Sequence, residues 1–123
     1  MLQWKLFRSK WLAITWFLVI NILFFLPGSS LPDGDFFDLT FFDKWVHAGF
    51  FAALFFLWRA AFEWNMNKPD LTLFSCLFIY AVAVEVIQHY FVVNRSFDLL
   101  DIVADTAGSL IGLLVWRWGY KKK

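Results

Sequence analysis

The residues of this chain that could do chemistry fall into short groups along the sequence. Asp43, Lys44 and His47 form the first, Glu85, Gln88 and His89 the second, and Arg95, Ser96, Asp98, Asp101 and Asp105 the third. Their spacing is helical. Asp43 and His47 are i and i+4, Glu85, Gln88 and His89 are i, i+3 and i+4, and Asp98, Asp101 and Asp105 run i, i+3 and i+7, so each set shares one helix face. An imidazole with two or more carboxylates can transfer protons, and carboxylates alone can hold a hard cation. Lys44 and Arg95 can hold a phosphate or a carboxylate. No serine elbow, phosphate loop or HExxH is present, and His47 lacks a recognisable ligand spacing, so no metal or cofactor is expected. Cys76 is the single cysteine. It has neither a disulfide partner nor a CxxC neighbour, and is expected to be packed inside its apolar run.

These groups need elements to position them. The chain has 123 residues, 61% hydrophobic and 23% aromatic, with mean hydropathy +0.62. A soluble domain is roughly 45–50% apolar, and so short a chain cannot hide the excess in its own core. Net charge is +1, which gives no general attraction to nucleic acid. Apolar runs at about 11–27, 45–62, 71–93 and 99–118 are each near the ~20 residues that span a bilayer. None alternates with period two, which argues against a barrel. The expected fold is all-α, an integral membrane four-helix bundle forming one domain over 1–123. The first run follows Lys5, Arg8 and Lys10, but it is long and lacks an A-x-A cleavage site, so it is expected to be kept as a helix.

Orientation follows from the cations. Lys5, Arg8, Lys10, Arg59, Lys68, Arg117 and Lys121 to Lys123 fall on one side of four crossings, and only Lys44 and Arg95 fall on the other. The positive-inside rule then makes both termini cytoplasmic. Trp11, Trp58, Trp64, Trp116 and Trp118 fall at cytoplasmic helix ends and Trp45 at an outer one, as amphipathic rings prefer. Trp16 must be lipid-facing or packed. In this frame every polar group lies at or just below the outer interface, with Glu85 and Asp105 deepest. Asp43 and Asp98 suit the first turn of a helix, where the dipole favours anions, and His89 suits interfacial packing. Glu85, Gln88 and Asp105 are too deep for capping. An ionisable group within a span costs at least ~2.5 kcal/mol and normally finds a partner in the bundle. His47, Lys44 and Arg95 are the expected partners of Glu85, Asp101 and Asp105. Ala104, Gly108 and Gly112 form a small-xxx-small ladder that would let a second helix approach closely. No strong charge is expected in the cytoplasmic half of any helix.

Asp43-Lys44-x-x-His47, Glu85-x-x-Gln88 and Arg95-Ser96-Phe97-Asp98-x-x-Asp101, followed by Gly108 and Gly112, resemble the VanZ-like family in order and placement. The likeness covers roughly 42–115, and Leu26-Pro27-Gly28-Ser29-Ser30 resembles the segment after the first helix in relatives. One departure is Asp105, where relatives tend to carry Asn. The resemblance implies a small bacterial protein, multi-pass in the cytoplasmic membrane, from a family named for a member linked to teicoplanin resistance. The name supplies no reaction. The leading expectation is an outward-facing polar site, bathed in membrane lipid, that binds or acts on a lipid-linked or cell-wall component. Arg95 and Lys44 would hold an anionic group, Glu85, His47 and Asp101 would supply acid–base groups, and Gln88 and Ser96 neutral hydrogen bonds. Whether it catalyses a reaction stays open, as does a homo-oligomer. The rival readings are a proton, cation or small-solute transporter, and a structural subunit whose charges only lock helices together.

Overall fold

The computed structural model describes residues 9–25, 40–91 and 99–120. They form four helices and, among the described residues, no strand. Helix α1 is Lys10–Phe24, α2 Thr40–Ala61, α3 Pro69–Phe91 and α4 Leu99–Val115, which runs on into a π-helical turn, Trp116–Tyr120. The architecture is an all-α four-helix bundle.

Local sequence explains where the helices begin. Ser9 caps α1, its Oγ accepting the Leu12 N–H at 3.3 Å, which satisfies one of the orphan donors of the first turn. Helix α3 begins at Pro69, the residue whose fixed φ and missing N–H suit a first helical position. Lys68 before it has φ 57° and turns the chain into that helix. Helix α2 begins at Thr40, five residues before the expected start at 45. Hydropathy marks where lipid begins, whereas the helix continues through the polar turn because helical bonding is the cheapest way to satisfy backbone groups near hydrocarbon. Asp43, Lys44 and His47 are therefore inside α2 and do not open it.

Helix α2 packs against each of the other three, and its contact with α4 is the closest in the bundle. Glycine makes that possible. A Cβ added at Gly108 would overlap the Ala48 carbonyl oxygen, and one at Gly112 would overlap the Ala52 carbonyl oxygen and lie 2.9 Å from Phe55 Cβ. The shared core is Ile20, Phe24, Phe51, Leu54, Phe55, Leu73, Leu77, Ala81 and Val84. Polar groups that enter it are satisfied. Tyr80 donates to Asn21 Oδ1 at 2.6 Å, Trp58 Nε1 to the Ala13 carbonyl at 3.2 Å, and Trp16 Nε1 to the Phe50 carbonyl at 3.1 Å. Trp16 is thus packed, with its ring edge-on to Phe50.

The outside of the bundle is apolar. Ile22 on α1 is 65% exposed and Ile79 on α3 66%, and Leu18, Phe78, Leu110 and Ile111 also face outward. Pro69–Phe91 and Leu99–Gly119 are long and apolar enough to cross a membrane, and α1 is apolar but shorter. Cys76 is exposed on α3, contrary to the expectation that it packs inside. The inward faces of α3 are taken by Leu73, Leu77, Ala81 and Val84, and position 76 falls between those rows.

Candidate functional site

Three helices place polar side chains at one level of the bundle. His47 lies seven residues into α2, Asp105 six into α4, and Glu85 six before the end of α3. At 1.5 Å per residue each is about 10 Å from its helix end. Glu85 and Asp105 are fully buried, Gln88 is 3% exposed, His47 5% and Asp101 8%. The close α2–α4 approach at Gly108 lies one turn beyond Asp105 and allows the imidazole and this carboxylate to meet.

Their contacts are specific. His47 Nδ1 is 2.8 Å from Asp105 Oδ1 and Nε2 is 3.8 Å from Asp101 Oδ2. Lys44 Nζ donates to Asp101 Oδ1 at 2.5 Å. An ionised carboxylate only accepts hydrogen bonds. With Asp105 ionised, Nδ1 therefore carries the hydrogen, and Nε2 faces the Asp101 carboxylate that Lys44 also holds. Ser109 Oγ donates to the Asp105 carbonyl at 3.1 Å, and Thr106 Oγ1 to the Ile102 carbonyl at 2.8 Å. Both hydroxyls are thus satisfied within α4, as lone hydroxyls in helices often are.

Phe24 was not among the residues singled out from sequence, yet it joins α1 to this site. Its ring stacks on the His47 imidazole, with centroids 5.2 Å apart and planes at 21°. Its carbonyl, one of the last in α1, accepts from Gln88 Nε2 at 2.5 Å. An apolar residue in an apolar run gives no such signal, although the Pro27-Gly28 stop does place the end of α1 nearby.

Of the sequence-predicted residues, the structure brings together Lys44, His47, Asp101 and Asp105, with Glu85 and Gln88 buried on the inward face of α3. Two of the expected pairings are present, Lys44 with Asp101 and His47 with Asp105. His89 is exposed and edge-on to Tyr90. Ala104, Gly108 and Gly112 line the buried face of α4. Arg95, Ser96, Asp98 and the side chain of Asp43 lie outside the described residues. Among the described residues, no group of three or more His, Cys, Asp or Glu side chains could hold a metal ion.

The other end of the bundle has its own buried charges, which corrects the expectation of none there. Asp70, 5% exposed, accepts from Arg59 Nε at 2.6 Å and from Arg117 Nε at 2.7 Å. The Arg59 guanidinium lies 4.7 Å from the centre of the Trp116 ring. Sequence hides Asp70 because it precedes the apolar run that begins at 71, whereas the helix starts at Pro69. Between the two ends, Leu54, Phe55, Leu73 and Leu77 fill the core.

A family model described as VanZ/LLP1 matches residues 2–120, nearly the whole chain. No curated protein and no solved structure matched it.

Proposed function

The chain belongs to the VanZ/LLP1 family, and from that premise we propose that it crosses the bacterial cytoplasmic membrane four times and uses the His47 site, facing outward, to bind a lipid-linked or cell-wall component. One observation carries the reading. A histidine, two aspartates, a glutamate and a glutamine from three helices are buried at one end of the bundle, with His47, Asp105 and Glu85 about 10 Å from the helix ends. Ionisable groups held at such depth are costly and typically mark a site. Lys44, and Arg95 beyond the described residues, would hold the anionic group of the ligand, and His47 and Glu85 would supply hydrogen bonds or a proton. The apolar layer of Leu54, Phe55, Leu73 and Leu77 favours binding over transport, because it separates this site from the charges at the other end.

The orientation rests on the Lys and Arg asymmetry. Cysteines introduced at Ser30 and Asn94 are expected to react with an impermeant reagent in intact cells, and one at Asn67 is not. Reaction at Asn67 would invert the orientation.

The function is tested by comparing lipids and cell-wall precursors in cells that lack the chain, carry it, or carry His47→Gln at equal level. Glutamine can still bond Asp105 but lacks the second ring nitrogen. The expected result is a lipid-linked species whose amount changes only with the native chain. The same change with His47→Gln removes the imidazole from the function, and no change in any envelope component removes the reading.

A further inference from the structure

The end of the bundle opposite His47 contains a cavity of about 400 Å³, lined in part by Arg59, Phe62, Glu63, Trp64, Asn65 and Trp116. We propose that this cavity binds the phosphate headgroup of an anionic phospholipid from the leaflet on that side. The inference rests on the bundle crossing a membrane and not on what the His47 site does.

Charge is the first argument. The described segments at this end carry Lys10, Arg59, Lys68 and Arg117 against Glu63 and Asp70, four cations to two carboxylates. Glu63, which also lines the cavity, lowers the positive field without cancelling it. Within the buried cluster itself one carboxylate faces two guanidinium groups, and its contacts are to the Nε–H of each. A guanidinium has five N–H donors in a planar fork, so each arginine keeps further donors suited to a second oxyanion. Arg59 lines the cavity, and Arg117, its side chain 54% exposed, holds the same Asp70 from the bundle surface. Bidentate pairing with phosphate is the chemistry that such forks favour.

Position is the second. The cavity lies where α2 ends, α3 begins and the π turn closes α4. Trp11 and Trp118, on helix ends at this level, are 80% and 68% exposed, as expected of indoles at a membrane interface. Asp70 fixes Arg59, the arginine that lines the cavity, from behind, so this cation is set in place before a ligand arrives. The volume is within the ~300–1,000 Å³ range of small-ligand pockets, and basic pockets between helices on the cytoplasmic side are known receivers of anionic headgroups. A free phosphate offers the same oxygens, but a lipid alone is held at this depth by its own chains.

The test uses the full chain in nanodiscs of phosphatidylcholine, with and without a minor fraction of phosphatidylglycerol. Thermal unfolding and the lipid retained in native mass spectrometry are the readouts. The native chain is expected to melt several degrees higher with phosphatidylglycerol and to retain one molecule of it per chain. Arg59→Gln is expected to lose most of both effects, while replacing Lys121, Lys122 and Lys123 with Gln leaves them in place. Inorganic phosphate added to phosphatidylcholine discs is expected to do nothing. Should Arg59→Gln fail to fold, Arg59→Lys keeps the charge, loses the fork and is expected to weaken retention. The proposal is overturned by equal melting in both lipids, by an effect that survives Arg59 substitution, by an effect lost with the lysine tail, or by phosphate reproducing the shift.

Discussion

Asp70 and Asp105 are buried aspartates at opposite ends of one bundle, and they are answered by different chemistry. Asp70 lies between two arginines, groups that stay protonated at any pH a protein meets. Asp105 lies against His47, the side chain whose charge changes near neutral pH, with Phe24 stacked on its other contact surface and Asp101 near its second nitrogen. The first arrangement is a fixed counter-charge where two helix ends and a turn must be pinned together. The second is a set of groups able to exchange a proton or a ligand. Three helices contribute to each, so the difference lies in residue type and depth and not in topology. That contrast predicts that changes at the Asp70 end act mainly on folding and that changes at the His47 end act mainly on function.

The largest effect is expected at the seam that holds both ends in register. Gly108→Leu forces a side chain into the Ala48 carbonyl, and helix α4 cannot stay at its present distance from α2. Overpacking typically costs ~1–3 kcal/mol where neighbours can yield, and here the neighbour is backbone, so the top of that range or beyond is expected. Folded yield in detergent should collapse. A variant that melts like the native chain would mean that α2 and α4 are not held by this contact.

Second in size is Asp70→Asn. Removing one partner of a buried ion pair costs ~3–5 kcal/mol, but Arg117 is more than half exposed and water screens it, so roughly half of that is expected. Melting temperature should fall, and function should fall only in proportion to the folded protein that remains. Loss of function at undiminished stability would break the comparison, because the Asp70 end would then take part directly in the function assigned to the His47 end.

Much of this arrangement was legible in sequence. The four apolar runs gave four helices, and the i, i+3 and i+4 spacings placed His47, Glu85, Gln88, Asp101 and Asp105 on inward faces, because helical period fixes which residues share a face, although His89, put on the face of Glu85 and Gln88 by its spacing, is exposed. The small residues of α4 marked the close contact with α2, although not which helix it would meet. What stayed hidden has physical causes. Asp70 sits at a helix start that hydropathy cannot see, and its partners Arg59 and Arg117 are 11 and 47 residues away, a pairing set by how the helices come together. Phe24 reads as one more apolar residue, and its role comes from a carbonyl and a ring face that every Phe possesses. Cys76 was assigned inward from its apolar neighbours, and only the rotation of α3 turns it out.

A smaller effect is expected midway between the ends. Tyr80→Phe removes the hydroxyl that donates to Asn21 Oδ1 at 2.6 Å and leaves the ring against Phe51. The net worth of such a bond is ~1 kcal/mol. A fall of that order in unfolding free energy, with function kept, would show that the polar groups of the central layer serve packing. Loss of function would instead extend the site downward from Asp105 toward the middle of the bundle.

Glu85→Gln separates the two ends most sharply, because the smallest change in stability is expected to accompany the largest change in function. The substitution keeps shape and hydrogen-bonding capacity and deletes the charge. Glu85 is fully buried, beside Gln88 on a face of α3 that already accommodates an amide. If the carboxylate only locks helices together, its neutralisation should cost as much as Asp70→Asn does at the other end, and the two variants should melt alike. If it belongs to a binding site, relieving a buried charge costs little, since an amide is cheaper to keep from water than an ion. The variant should then melt within a degree or two of the native chain while losing the effect on envelope components expected of the native chain. The pair of melting curves, Asp70→Asn against Glu85→Gln, decides the matter without knowledge of the ligand. Equal losses in both would reduce the whole polar set to helix pairing, and the His47 end would differ from the Asp70 end in composition alone.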